Sequence, residues 1–328
     1  MAYFVLVLAL YLLSIIRSVT AKPCIAFDTA WNLLAFGLDG KDYNAATQDT
    51  WASSTPGATD ITTTGRPPFD GANTTCYLSQ FTNAIYVINS DTANPNSVYI
   101  YNAGTPGWSM QQTTPGGFDI SNFEAVLDHD TNVFYALSQG ELYFLDMGLL
   151  VTANSTAITW TDVQTSPFSD DYSPVMALAQ NHIHFLDVPG VAAGSAVIFV
   201  IHFSSFQLEP QSYGNFSNSP GQSTSFFQES DVQQEFAYIP QDSSSTYVIN
   251  VETNTTQSLA GPTTKDPLAS YFAGVTSLVQ LSTSGAVSFL PYTQGDSQGN
   301  SAATWIPVAA LAAAAPASSS SSAAPSSA

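Results

Sequence analysis

His182 and His184 stand two apart in the run HIHFLD, and His202 lies on the apolar run that follows. If these runs are strands, residues two apart point to one face, and neutral imidazoles so placed can hold zinc or copper. His182 and His184 are therefore the metal candidates. Register offers a plainer reading, because His184 aligns with Tyr86 and Tyr135, and His182 with Ala84 and Val133, all ordinary packing slots. A second chemistry belongs to the carboxylates. Asp128, Asp130, Asp170, Asp171, Glu229 and Asp231 are candidates by proximity for the acid and nucleophile of a glycoside hydrolase. Nothing singles out a pair, and Asp128 with Asp130 is also a candidate calcium site. Asp28-Thr29 and Asp130-Thr131 occupy equivalent places after a first strand, where aspartate serves turns by accepting from nearby backbone N–H groups. The chain has no phosphate-cradling glycine loop and no dinucleotide fingerprint. No catalytic residue is assigned, and no cofactor is expected.

Composition narrows the partners. The 328 residues hold 5 Lys+Arg against 25 Asp+Glu, a formal net charge of −20. Such a chain cannot neutralise phosphates, which excludes nucleic acid and disfavours anionic membranes. With 45% hydrophobic residues and 12% aromatics it can still build a core.

The two ends read differently from the middle. Residues 3–16 (YFVLVLALYLLSII) form an uncharged apolar run, short for a bilayer span, followed by the small-residue pattern Val19-Thr20-Ala21. Residues 1–21 are expected to be a signal peptide, leaving no membrane span in the mature chain. Four Asn-x-Ser/Thr sequons, at Asn73, Asn154, Asn215 and Asn254, fit a secreted glycoprotein. Residues 309–328 (AALAAAAPASSSSSAAPSSA) offer little apolar area against the entropy of ordering, and read as a disordered tail with soluble secretion or cell-wall association.

Residues 22–308 are β throughout: short runs of Val, Ile, Tyr, Phe and Leu separated by Gly, Asn, Asp, Ser and Pro. The runs recur. AIYVIN, VFYALS and HIHFLD follow Asn83, Asn132 and Asn181, which are 49 residues apart twice. WNLLAF (31–36), EFAYI (235–239) and SLVQL (277–281) occupy the same slot. Trp51, Trp108, Trp160 and Trp305 form a second series, with Leu208 and Thr256 in its two remaining slots. Both series count six units. A period near 50 with four strands per unit means propeller blades, because one sheet cannot bury both faces and a ring leaves no face over. The expected fold is an all-β six-bladed propeller of four-stranded antiparallel blades, with seven blades as the alternative. Blade two is CYLSQF, AIYVIN, SVYIYN and GWSMQQ; blade three is AVLDH, VFYALS, ELYFLD and ITWTDV (158–163).

The segments YNAATQDTW (43–51), YNAGTPGW (101–108) and INVETNTT (249–256) resemble the end of a kelch repeat, where Tyr-Asp, a Thr-containing turn and Trp close the third and fourth strands. The chain is similar to divergent kelch-type propellers of secreted fungal proteins, without the Gly-Gly doublet that follows their second strands. The resemblance implies that Trp51, Trp108, Trp160 and Trp305 pack between blades. The galactose oxidase type shares this propeller, but its copper site needs a Tyr linked to a Cys, and both cysteines here are otherwise engaged. Cys24 and Cys76 open the first strands of neighbouring blades and are expected to pair in an oxidising compartment.

The function expected is that of an extracellular, monomeric, non-enzymatic scaffold binding protein or polysaccharide through loops on one rim. The loops concerned are 53–73 (with Arg66 as a contact), 147–157 and 211–227. The alternative is a glycoside hydrolase with carboxylates at the channel mouth.

Overall fold

The computed structural model describes residues 22–312 apart from 170, 208, 218, 230 and 231. The expected signal peptide, Leu208, Asp170, Asp231 and residues 313–328 therefore lie outside the described residues.

Six sheets are arranged as a ring. Blade 1 holds β1 (Cys24–Phe27), β2 (Leu33–Leu38), β3 (Lys41–Asn44) and β4 (Thr59–Asp60). Blade 2 holds β5 (Thr75–Ser79), β6 (Ala84–Ile88), β7 (Ser97–Asn102) and β8 (Gly107–Thr114). Blade 3 holds β9 (Glu124–Asp128), β10 (Val133–Ser138), β11 (Glu141–Asp146) and, beyond β12 (Ile158–Thr159), β13 (Thr161–Thr165). Blade 4 holds β14 (Val175–Ala179), β15 (His182–Leu186), β16 (Ser195–Val200) and a broken fourth strand, β17 (Ser205–Phe206) with β18 (Gln211–Ser212). Blade 5 holds β19 (Gly221–Ser225), β20 (Glu235–Pro240), β21 (Ser245–Asn250) and β22 (Thr255–Ala260). Blade 6 holds β23 (Ser270–Ala273), β24 (Ser277–Leu281), β25 (Val287–Pro291) and β26 (Ile306–Pro307). Two short helices, α1 (Ser297–Ala302) and α2 (Ala309–Ala312), follow β25 and β26. Each blade uses consecutive strands, and the first strands touch in sequence around the ring, β23 closing it against β1.

Burial drives the arrangement. Second strands β2, β6, β20 and β24 are buried along their whole length, as a strand covered on both faces must be. The period-49 asparagines sit at the turn between first and second strands in left-handed backbone, with φ of 54° at Asn83, 58° at Asn132 and 56° at Asn181. Asparagine tolerates that region far better than bulkier residues do. Each also bonds to the preceding blade: Asn83 Oδ1 accepts from Thr29 N at 3.0 Å, Asn132 Nδ2 donates to the Tyr86 hydroxyl at 2.8 Å, and Asn181 Nδ2 donates to Asp130 Oδ2 at 2.6 Å.

The tryptophans lie on the seams. Trp51 meets Phe289 of blade 6, Trp108 meets Phe36 of blade 1, Trp160 packs with the core of blade 2, and Trp305 Nε1 donates to Ala260 O of blade 5 at 2.9 Å. Cys24 and Cys76 form a disulfide between β1 and β5. The ring also has a latch. Ala310 and Leu311 are buried, and Ala58 N donates to Ala310 O at 3.0 Å, so ordered structure runs past the expected boundary at 308. Leu311 provides the apolar area that the Ser/Ala composition of this tail conceals.

One expectation on strands needs correction. ITWTDV is not one strand: β12 pairs in parallel with β8 of blade 2, and only β13 completes blade 3. The segment leading to β12 follows the outer edge of blade 2, where Gln111 Nε2 donates to Thr156 O at 2.8 Å and Gln111 Oε1 accepts from Asn154 N at 2.9 Å. Covering that edge satisfies backbone groups which would otherwise be open to pairing.

Candidate functional site

Antiparallel order gives the ring two distinct rims. First strands begin at one, here the upper rim, which carries the second-to-third hairpins and the connections between blades. First strands end at the lower rim, which carries the first-to-second turns and the third-to-fourth loops. The loops expected to share a rim are divided between them. The span 53–73 passes from the lower rim through β4 to the upper one, 147–157 leaves the lower rim along blade 2, and 211–227 contains β18 and β19.

The central channel is narrow and holds a cavity of about 120 Å³. Its walls are first strands, whose inner edges have backbone groups with no next strand. Blade 5 satisfies several of these with hydroxyls: Ser225 Oγ accepts from Leu178 N at 2.9 Å, Thr224 Oγ1 accepts from Ala273 N at 3.1 Å, and Ser223 Oγ donates to Met176 O at 2.5 Å. The sequence GQSTS of β19 is polar for this reason.

Phe227, Gln228 and Gln233, from the turn between β19 and β20, reach across the lower mouth. Phe227 lies 5.9 Å from Trp31 of blade 1 and 6.1 Å from Phe272 of blade 6, ring centre to ring centre. Gln80 Nε2 of blade 2 donates to Gln228 O at 2.7 Å, and Gln180 N of blade 4 donates to Gln233 O at 2.7 Å. Contacts to four other blades place this turn across the mouth.

Glu124 lines the channel at its upper end. The side chain reaches water inside the channel but protein surrounds it, and this burial pushes its carboxyl up to about 7. It was not among the sequence candidates. It occupies the slot of Thr75 in the repeat, and nothing in residue type sets it apart from other acidic residues. Glu124 is the one carboxylate among the described residues lining the cavity.

The proposed carboxylate set does not assemble. Asp128 is buried and accepts from the Thr131 hydroxyl at 2.5 Å, while Asp28 accepts from Ala30 N at 3.0 Å and Asn32 N at 2.9 Å. Asp28 and Asp128 are thus the matching turn caps, whereas Asp130 bonds to Asn181 of blade 4 and lies 3.1 Å from His129 Nε2. Asp171 belongs to the upper rim and Glu229 to the lower, so chain proximity did not mean spatial proximity.

The histidine pair is likewise divided in role. His184 Nε2 lies 3.0 Å from the Tyr213 hydroxyl, and its ring packs on Phe236; burial pushes its pKa down to about 3. It is a neutral core residue. The His182 ring lies 5.5 Å from that of His202 on the lower rim. Among the described residues, no three side chains of metal-ligating type converge.

Arg66 is not a free contact. Its Nη2 donates to Asp42 Oδ1 at 2.8 Å and its Nε to Asp42 Oδ2 at 3.1 Å, while its guanidinium sits over the Phe69 ring. Asp42 is fully buried, and also accepts from Gly37 N at 2.9 Å and Trp108 Nε1 at 3.3 Å.

The rims differ in charge and polarity. Among the described residues every Lys and Arg, namely Lys22, Lys41, Arg66 and Lys265, belongs to the upper rim. The lower rim carries exposed carboxylates at Asp49, Asp130, Asp146, Glu229, Glu252 and Asp296. It also carries three exposed large apolar side chains, Phe81 at 67%, Leu149 at 70% and Phe203 at 74% exposure, from blades 2, 3 and 4. Among the described residues the upper rim has Leu268 alone of this kind.

A cavity of about 180 Å³ opens on the lower rim between blades 1 and 6, lined by Phe27, Trp31, Thr47, Gln48, Asp49, Trp51 and residues 274–277. Trp31 has a φ of 60°, a left-handed conformation that bulky residues rarely adopt. The Asp28 cap holds that turn, and sequence reading placed Trp31 at the head of an ordinary strand.

No helix among the described residues is long and apolar enough to cross a membrane. No protein-family model matches the chain. No curated protein matches it either. Among solved structures, a chain in the "Crystal structure of Nidogen/Laminin Complex" matches with a TM-score of 0.46 and 10% sequence identity, covering 73% of this chain and 79% of that one.

Proposed function

We propose that this propeller is an extracellular, non-enzymatic binding scaffold whose lower rim engages a protein partner bearing cationic and apolar side chains. The observation that carries this reading is the confinement of the described Lys and Arg to the upper rim, which leaves the apolar groups of the lower rim among carboxylates alone. Exposed Phe81, Leu149 and Phe203 stand among six exposed carboxylates on a rim without Lys or Arg among its described residues. Exposed apolar groups rimmed by charge of one sign suit a complementary surface, and the charge would speed encounter. Secretion is supported by the apolar run 3–16, by the buried disulfide and by the exposure of Asn73, Asn154, Asn215 and Asn254, the four proposed glycosylation sites. The kelch-type reading is supported by YNAGTPGW, which forms the β7–β8 turn, and by tryptophans at the seams.

Arrays of cationic peptides test the proposal, probed with the native chain, a Phe81→Ser/Leu149→Ser/Phe203→Ser variant and a Leu268→Ser control. Binding should fall at least tenfold in the triple variant and stay unchanged in the control. Equal binding by the triple variant and the native chain would reject the lower rim. Glycoside hydrolysis is the second reading, favoured by Glu124, whose raised pKa suits a general acid. It lacks a partner carboxylate in the cavity lining, and release of reducing ends from polysaccharide would establish it.

A further inference from the structure

The cavity between blades 1 and 6 is built differently from the rest of the lower rim. Its apolar wall is aromatic: Phe27 lies 6.3 Å from Trp31 and 5.8 Å from Trp51, centre to centre. Trp51 and Phe27 are almost fully buried, so Trp31, half-buried, is the aromatic surface left for a ligand. Neutral polar groups share the cavity lining with it. Gln48 Oε1 accepts from the Thr276 hydroxyl at 2.7 Å, and the Thr47 hydroxyl donates to Asp49 Oδ1. The Asp49 carboxylate is exposed.

From this we infer that the cavity is a binding site for one ring of a neutral sugar, separate from the surface around Phe81, Leu149 and Phe203. An aromatic face with a few convergent polar groups is the usual make-up of a small-ligand pocket. A sugar offers an apolar C–H face for the indole and hydroxyls on its edge. The Gln48 amide N–H is free to donate, and the Thr47 and Thr276 hydroxyl oxygens, whose hydrogens go to Asp49 and Gln48, are free to accept, which matches alcohols. An ammonium or guanidinium group would use acceptors alone and leave the Gln48 amide unemployed. Trp31 is held in its φ of 60° by Trp31 N donating to Asp28 O at 3.0 Å and by the Asp28 carboxylate, which closes the turn on Ala30 and Asn32. Such conformations persist where the surroundings over-determine them, and they cluster at ligand sites.

The test is saturation-transfer NMR and indole fluorescence with neutral oligosaccharides of glucose, mannose, galactose and N-acetylglucosamine, with oligolysine as counter-probe. At least one neutral oligosaccharide should bind saturably. Affinity should fall at least tenfold in Trp31→Gly, where glycine takes the positive φ without penalty, and several-fold in Asp49→Asn and Gln48→Ala. Phe81→Ser should leave it unchanged. Binding by none of the sugars, undiminished binding by these variants, or binding of oligolysine alone would each overturn the inference. Gln48→Ala keeps the indole and its turn intact, so the test stands even if Trp31→Gly does not fold. Loss of peptide binding in the triple rim variant is read independently of either result.

Discussion

Asn132 and Tyr86 join blades 3 and 2 through one hydrogen bond of 2.8 Å, with the asparagine amide donating to the phenol oxygen. Both residues are buried, and the same amide also donates to Gly148 O at 2.6 Å while the phenol donates to Leu150 O at 2.7 Å. One asparagine thus fixes a left-handed turn, a loop and a seam.

Replacing Asn132 by Ala should cost about 2–4 kcal/mol, since it strands buried partners and puts a Cβ-branching-free but less tolerant residue at positive φ. Tyr86→Phe should cost about 1–2 kcal/mol. Urea unfolding of both single variants and the double variant should show coupling of the two sites, and strict additivity would argue against the seam bond.

Arg66→Ala would leave the Asp42 carboxylate buried without its cation. A loss of about 3–5 kcal/mol is expected, with Asp42→Asn/Arg66→Ala less damaging than Arg66→Ala alone. Arg66→Lys should fall between, because a lysine cannot reproduce the two parallel bonds. Denaturant midpoints at constant m would measure this.

Reduction of Cys24–Cys76 removes a crosslink spanning 52 residues of sequence. On the chain-entropy model the loss is about 4 kcal/mol. Non-reducing peptide mapping should recover the pair, and a melting temperature indifferent to reductant would contradict the expectation.

Acid should act in opposite senses on buried His184 and on Glu124 in the channel. His184 has its pKa lowered from 6.5 to about 3 by burial, so the unfolded chain takes its proton first and stability is lost as pH falls from 6.5 towards 3. Glu124 has its pKa raised from 4.5 to about 7 by burial, so the folded chain takes its proton first and stability is gained as pH falls from 7 to 4.5. The native chain should therefore change little between pH 6.5 and 4.5. Glu124→Gln should decline more steeply over that range, and His184→Phe should rise. Parallel melting curves for all three against pH would contradict both assignments.

Second strands β6, β10 and β15 were legible because a left-handed asparagine precedes each, and the others because a largely apolar run recurs in the same slot. Fourth strands were not. β4 and β26 have two residues each and lie at outer edges, where backbone pairing suffices and residue type is free. ITWTDV was misread because alternation along a strand does not reveal that its first half pairs with another blade. For the site, the carboxylates misled because successive segments of a propeller travel to opposite rims, as Asp171 and Glu229 do. Trp31 stayed hidden inside WNLLAF, since its exposure follows from a backbone angle that composition does not encode. Glu124 acquires its character only when six strands enclose it.

Phe227 and Gln233 have a consequence for traffic through the molecule. Both line the channel cavity from the lower-rim turn, whereas Glu124 lines it at the upper end. A guest reaching Glu124 from the upper rim approaches on the face opposite the Trp31 cavity. The two faces can therefore be occupied at once without either guest obstructing the other.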